Sequence, residues 1–183
     1  MSANAVPGDA APLRAVFKGR LRLGDESMRF EGGVAAAPPD RLRVELWGPM
    51  GGLRAILASR GGRVIVVLPG GRQYMDEEEG TATYEALLGV PLDTPSLIRL
   101  ISSARPGGCA QRAEAAVSVT CVDGFPRAVF EGGTLDLRLT DSWRPAAGEL
   151  PEDLFDPPIP QGFSRLRPDA APAGSGRARL LVP

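Results

Sequence analysis

Residues 40–57 read DRLRVELWGPMGGLRAIL, and this segment has the pattern of two strands joined by a turn. Apolar residues alternate with charged residues from Leu42 to Leu46, and a second alternating pattern runs from Leu53 to Leu57. A period of two is typical of a strand with one apolar face and one hydrated face. The segment therefore predicts two strands that each turn an apolar face towards a core.

The turn between these strands has the composition Gly-Pro-Met-Gly-Gly, at residues 48–52. Proline fixes φ and glycine permits positive φ, so both residue types favour a tight turn. Met50 is the only large side chain in a turn that would normally point into solvent. Two interpretations stay open, because Met50 either folds back on the core or is exposed and meets a membrane or a lipid-bearing partner.

Further strands are predicted on both sides of this segment. Residues 17–23 and 28–34 alternate and predict a hairpin, whereas residues 64–68 are continuously apolar and predict a strand in the middle of a sheet. Residues 81–104 change to helical spacing and predict two short helices, after which alternating segments return as a meander of antiparallel hairpins. Helices this short are not stable alone, so their apolar faces must lie on the sheet. The pattern predicts a mainly β fold, a strongly curved antiparallel sheet with a helical lid.

Composition excludes several functional classes. The formal net charge is −1 and the isoelectric point is near 5.6, which gives no electrostatic reason to expect a nucleic-acid or anionic-membrane partner. The chain has no histidine, which removes the commonest general base and the commonest metal ligand. Cys109 and Cys121 form a disulfide if the protein is exported, or else they are two buried thiols.

No group of residues suggests catalysis. Ser59, Ser102 and Ser103 have no histidine partner, and the acidic residues show no paired arrangement suited to hydrolysis. The acidic run at residues 76–79 spreads its side chains in all directions, so it predicts a solvated loop rather than a metal site. We therefore predict a protein that is not an enzyme and uses no metal or cofactor.

The run from Asp40 to Leu57 resembles the strand-loop-strand of the LolB family, the outer-membrane receptors for lipoproteins. In that family an exposed leucine follows the proline of the loop, and Pro49-Met50-Gly51 stands at the matching positions here. Residues 84–92, followed by 96–101 and then 106–108, are similar to the family's pair of short helices at the barrel mouth. The resemblance covers about residues 17–130, and residues 155–162 resemble LolA-like carriers instead.

The resemblance implies an unclosed β-barrel with a two-helix lid over a concave face that holds acyl chains. We expect a flexible leader at residues 1–13, a LolA/LolB-like lipid-binding domain at 14–168, and a linker with an edge strand or disordered tail at 169–183. Periodicity predicts an inward set of apolar side chains that includes Leu135, Leu137 and Leu139 of the later meander, although a solid core would need the same residues. The predicted cavity residues are Phe17, Leu21, Phe30, Leu42, Val44, Leu46, Leu57, Ile65, Leu87, Leu97, Ile98, Ile101 and Leu137.

The function implied by the resemblance is to bind lipoprotein acyl chains and to deliver them to the outer membrane. Pro49, Met50 and Gly51 would then form a membrane-insertion loop, with the inner leaflet of the outer membrane and a soluble LolA-like carrier as partners. No signal peptide is visible at the start of this sequence, which taken literally indicates a cytoplasmic protein. The resemblance implies a periplasmic lipoprotein whose signal peptide and lipobox are absent here. The alternatives are a periplasmic binding protein for another lipid and an envelope assembly protein with a filled core.

Overall fold

The computed structural model describes residues 11–114, 116–146 and 149–166. These residues form eleven strands and two α-helices. The strands are β1 (Leu13–Leu23), β2 (Glu26–Ala37), β3 (Arg41–Trp47), β4 (Leu53–Arg60), β5 (Arg63–Leu68), β6 (Gln73–Glu78), β7 (Arg112–Glu114), β8 (Val117–Val122), β9 (Phe125–Phe130), β10 (Gly133–Trp143) and β11 (Ser164–Arg165). The helices are α1 (Thr81–Leu88) and α2 (Thr94–Ser103).

The strands form one open sheet in the order β11-β6-β5-β4-β3-β2-β1-β10-β9-β8-β7. Every neighbouring pair is antiparallel except β11 and β6, which run parallel. The first strand lies in the interior of the sheet, where it pairs with β2 on one side and with β10 on the other. The structure confirms the predicted mainly β fold, with a largely antiparallel sheet and two short helices.

The first strand begins earlier than the sequence pattern indicates. The pattern places Leu13 in the leader, but Leu13 is the first residue of β1, pairs with Ala36, and is only 4% exposed. Val16 obscures the start of the alternation in the sequence, because this apolar residue lies on the same half-buried side of β1 as Arg14. Residues 1–10 of the predicted leader lie outside the described residues, and so does the whole predicted tail at 169–183.

The helices pack on one face of the sheet and share a hydrophobic core with it. Asp93 precedes α2 and its carboxylate accepts a hydrogen bond from the Ser96 backbone N–H at 2.8 Å, which satisfies a free donor of the first turn. Pro95 lies in that same turn, where its missing N–H is not needed. Gly89 ends α1 with a φ of +71°, a conformation that glycine adopts without steric cost.

The opposite face of the sheet is also covered over part of its area. A 3₁₀ turn at Glu152–Phe155 lies there, and Phe155 is 1% exposed in a second cluster with Ala35 and Ala37 of β2. The guanidinium carbon of Arg41 lies 5.7 Å from the centre of the Phe155 ring, within the range of a cation–π contact. The middle strands therefore bury side chains on both faces.

The position of Ile65 corrects one of the predicted cavity residues. Val64 and Val66 of β5 belong to the core beneath the helices, whereas Ile65 pairs with Ala58 and lines a crevice on the other face with Phe155. Neighbouring residues of a strand point to opposite faces, so Ile65 cannot reach the cavity. The continuous apolar run carries no signal of which face is which, because both faces are buried.

The acidic run is also placed differently from its prediction. Its first three residues end β6 rather than forming a loop. Asp76 lies opposite Ile65 of β5, and its two carboxylate oxygens accept hydrogen bonds from Nε and Nη2 of Arg63, two residues earlier in that strand, both at 2.6 Å. This bidentate bond lowers the pKa of the Asp76 carboxyl below its usual value. The start of the acidic run therefore lies in a strand, where it pairs with β5 and its first carboxylate is held by Arg63.

Cys109 and Cys121 form a disulfide, with their Cα atoms 5.9 Å apart. It links the segment after α2 to β8, and so it ties the helical region to the sheet. We expect the double variant Cys109→Ser, Cys121→Ser to lose about 3 kcal/mol of unfolding free energy, the value typical of a closed loop of this length. Urea denaturation at neutral pH measures the loss.

Reductant provides the control for this prediction. It should destabilise the wild-type protein by a similar amount and leave the double variant unchanged. A wild-type protein whose urea midpoint does not respond to reductant would contradict the disulfide.

Candidate functional site

A cavity lies between the sheet and the helices, and every side chain that lines it is apolar. Its volume is about 60 Å³. The walls come from β1 to β4, from β10, and from the two helices with their connections. The lining residues are Phe17, Leu21, Phe30, Val44, Leu46, Leu57, Leu88, Val90, Leu97, Ile101, Ala104, Leu135, Leu137 and Leu139.

Most of the predicted cavity residues lie at this site. Nine of the thirteen line it directly, and Leu42, Leu87 and Ile98 are buried in the same core without reaching the cavity wall. Ile65 is on the other face, as described above. Leu135 and Leu139, which periodicity also placed in the inward set, line it as well. The sequence-based set missed Leu88, Val90 and Ala104, and Val90 lies in an irregular connection that has no period.

One wall is built from two phenylalanines that meet edge to face. The ring centres of Phe17 and Phe30 are 6.1 Å apart with an angle of 71° between the ring planes. Gly19 lies directly across from Phe30 in the sheet, and a Cβ atom at Gly19 would overlap the Phe30 ring. Glycine at this position therefore leaves room for the far end of the Phe30 ring, which lines the cavity.

A chain of buried hydroxyl groups holds both helices to the sheet. The Tyr84 hydroxyl of α1 is 2.7 Å from Thr94 Oγ1 of α2, and Thr94 donates to Ser59 Oγ of β4 at 2.8 Å. The Thr94 backbone N–H also donates to a carboxylate oxygen of Glu79 at 2.8 Å. Burial raises the pKa of the Tyr84 phenol to about 12, because the phenolate would lose its hydration. Ser59, considered above as a possible nucleophile, is part of this structural network.

The β3–β4 turn carries an exposed methionine. The Gly48 N–H donates to the Gly52 carbonyl at 2.8 Å, and Gly51, at a φ of +78°, donates to the Gly48 carbonyl at 2.9 Å. These bonds close the turn without using the Met50 side chain, which is 99% exposed. Leu53, just after the turn, is also exposed, at 41%. Met50 does not fold back on the core.

The described residues show neither a metal cluster nor a spanning helix. Among them, no three Asp, Glu or Cys side chains are placed to share a metal ion. Within the same ranges, no helix is long and apolar enough to cross a membrane.

Comparison with known proteins adds little to this description. No family model and no curated protein matches the chain. One solved structure, an uncharacterized conserved protein from Thermus thermophilus, is 16% identical over 86% of this chain and 90% of that chain, with a TM-score of 0.44. At this level the likeness carries no argument about function.

The buried hydroxyl chain makes a prediction for Tyr84→Phe. The change removes one hydrogen bond from Thr94 and should lower the unfolding free energy by about 1 kcal/mol. It should also abolish the ionisation near pH 12, which absorbance in the near ultraviolet follows. The folded protein holds this proton longer than the unfolded chain, so wild-type stability should fall as the pH rises from 10 towards 12.

Tyr74→Phe is the matched control, because Tyr74 and Tyr84 are the only tyrosines in the chain. The phenol that remains in this variant is Tyr84, and it should ionise near pH 12. An ionisation of Tyr84 at the ordinary phenol value of about 10 would mean that the hydroxyl chain is open to water.

Proposed function

We propose that this protein binds the acyl chains of lipoproteins in the cavity between sheet and helices and helps to deliver them to the outer membrane. The observation that carries the proposal is a cavity wall made entirely of apolar side chains. Each methylene group moved from water into such a wall gains about 0.8 kcal/mol. Ten groups would contribute on the order of 8 kcal/mol, and a membrane offers a similarly apolar destination that makes release feasible. No covalent chemistry is needed.

Acyl binding requires the cavity to widen. Its volume of about 60 Å³ is well below the roughly 300–1,000 Å³ of typical small-molecule sites. In the proposal, the open sheet acts as a strongly curved, unclosed β-barrel, and α1 and α2 act as its lid. The hydroxyl chain from Tyr84 to Ser59 anchors one part of the lid. Leu97 and Ile101 make only non-directional apolar contacts, so they can separate from the sheet when a chain replaces those contacts.

Delivery involves the β3–β4 turn in this proposal. Met50 is fully exposed, and it stands where the LolB family has an exposed leucine after the loop proline. An apolar side chain at the tip of a closed turn can enter the acyl region of a bilayer without unfolding the sheet. We place the protein in the periplasm, anchored to the outer membrane as a lipoprotein, with a soluble LolA-like carrier as donor. The disulfide supports an oxidising compartment.

A second candidate function is an envelope assembly protein whose core is simply filled. The small cavity volume favours it, because a core without cargo needs no more space than this. A periplasmic binding protein for another lipid is a third candidate, which shares the cavity but does not need an exposed methionine.

Native mass spectrometry of gently purified protein, with lipid extraction, tests the acyl-binding proposal. We expect co-purifying phospholipid or fatty acid that is lost on denaturation, or a mass shift with an acylated peptide. Val44→Phe should reduce binding, because Val44 lines the cavity and the larger ring fills it. Ile56→Phe is the matched control. Ile56 is the neighbour of Leu57 in β4 and points away from the cavity, so this variant should bind normally. An unliganded mass that does not change with acylated peptide would favour the filled core.

Met50→Glu tests the role of the turn. Because the side chain contacts no core residue, the variant should keep the wild-type melting temperature but lose lipoprotein delivery to outer-membrane vesicles, since a carboxylate does not enter the acyl region. Met50→Leu should retain delivery. Ile159→Glu makes the same kind of change at another exposed apolar side chain and should also retain it. Normal delivery by Met50→Glu would remove Met50 from the mechanism.

A further inference from the structure

Two adjoining grooves lie on the sheet surface, with volumes of about 470 and 440 Å³, and the second of them reaches the β3–β4 turn at Gly48 and Pro49. Both are lined by Lys18, Gly19 and Arg29. Lys18 and Arg20 alternate along β1 with Phe17 and Leu21, which line the cavity. Their side chains therefore project from the opposite face of the sheet. We call the two grooves together the basic groove.

Cationic side chains outnumber carboxylates in the basic groove. Six cations line it, Lys18, Arg20, Arg29, Arg54, Arg127 and Arg138, against the three carboxylates of Glu31, Asp123 and Asp136. Each carboxylate already has a cation, and the shortest distances are 2.5 Å for Arg127–Asp136, 3.5 Å for Arg138–Asp123 and 4.0 Å for Lys18–Glu31. In the part of the chain that the structure describes, this leaves Arg20, Arg29 and Arg54 without an ion pair.

Two of these free arginines face each other. Arg20 of β1 and Arg29 of β2 are direct cross-strand partners. Like charges in this position destabilise a sheet. Asp136 of β10 stands opposite Arg20 on its other side, but both of its carboxylate oxygens already accept hydrogen bonds from Arg127. The pairing of β2 with β3 begins only at Glu31 and Trp47, so no residue of β3 stands opposite Arg29 to neutralise it.

The third free arginine, Arg54, is the second residue of β4, directly after the turn that carries Met50. The aliphatic part of Arg54 lies against Gly48, where a Cβ atom would be 3.2 Å from Arg54 Cδ. Arg29 and Arg54 also line one groove together with Pro49, the residue before Met50. Unpaired guanidinium groups beside a fully exposed apolar side chain match the two layers of a membrane surface, where phosphate groups lie outside the acyl region.

We propose that the basic groove binds the phosphate groups of anionic phospholipids at the membrane surface that Met50 enters. The inference rests on the proposed membrane entry of Met50. Guanidinium groups pair well with phosphate oxygens, and one phosphate between Arg20 and Arg29 would remove their repulsion. The net charge of −1 does not oppose this binding, because charges further than about 10 Å away are largely screened at 0.1 M salt.

Vesicle flotation tests the proposal with two compositions, pure phosphatidylcholine and phosphatidylcholine containing phosphatidylglycerol. The wild-type protein should bind the anionic vesicles more strongly, and about 1 M salt should remove the difference. Arg29→Glu and Arg54→Glu should each weaken binding to anionic vesicles by about 25-fold, since one attraction is lost and one repulsion gained, each worth roughly fivefold. Binding to neutral vesicles should not change.

Arg29→Glu has an internal check on folding. It replaces a like-charged cross-strand pair with an opposite pair, so its melting temperature should equal or exceed that of wild type while anionic binding falls. Arg14→Glu is the matched control, with the same charge change on the same face of β1, roughly 20 Å along the strand from Arg20. The proposal is overturned if wild type shows no preference for anionic vesicles, or if Arg14→Glu weakens binding as much as Arg29→Glu does.

Met50→Glu separates this inference from the proposed function. It should weaken binding to both vesicle types because it removes the apolar contact, and somewhat more to anionic vesicles because it adds one repulsion, while the arginines keep their phosphate contacts. If Met50→Glu binds both vesicle types like wild type while Arg29→Glu loses the anionic preference, membrane entry by Met50 is wrong and phosphate binding stands. If Met50→Glu loses binding and the arginine variants do not, the basic groove proposal is wrong and membrane entry stands.

Discussion

Every other part of this fold relies on the pairing of β1 along both of its edges. Its residues hydrogen-bond to β2 along one edge and to β10 along the other, which joins the first six strands to the later meander in one sheet. The cavity draws its wall from both parts, with Leu46 from one and Leu137 from the other, while Phe17 and Leu21 of β1 stand between them. Without this strand there would be two smaller sheets and no shared core.

The two faces of the sheet meet different environments. One face carries the apolar cavity under the helices, and a hydroxyl chain sets the position of those helices. The other face is covered by Phe155 and its neighbours over β2, but it stays open around β1, where Arg20 and Arg29 meet. Alternation along a single strand thus supplies an apolar interior and a cationic exterior, because neighbouring side chains point to opposite faces.

These two faces fit one ligand class, a molecule with apolar chains and an anionic head group. In the proposed function the cavity takes acyl chains and Met50 meets the bilayer, and in the further inference the arginines beside Met50 meet the phosphate layer. The small cavity is the strongest argument for the filled-core alternative, because a bound chain needs the helices to move first. Acyl binding and the filled-core alternative therefore differ in whether α2 separates from the sheet far enough to admit a chain.

Sequence alone was enough to define most of the strands, the turns and the two helices, because hydrophobic period, glycine and proline act over a few residues. It also identified most of the cavity wall, since Phe17, Val44 and Leu137 lie in clearly alternating segments. That Ile65 faces away and that Met50 is exposed became clear only from the packing of the folded chain, because a period of two defines two faces without saying what covers each one. The basic groove was hidden for a similar reason, since net charge sums over the whole chain while an electrostatic field depends on where each charge lies.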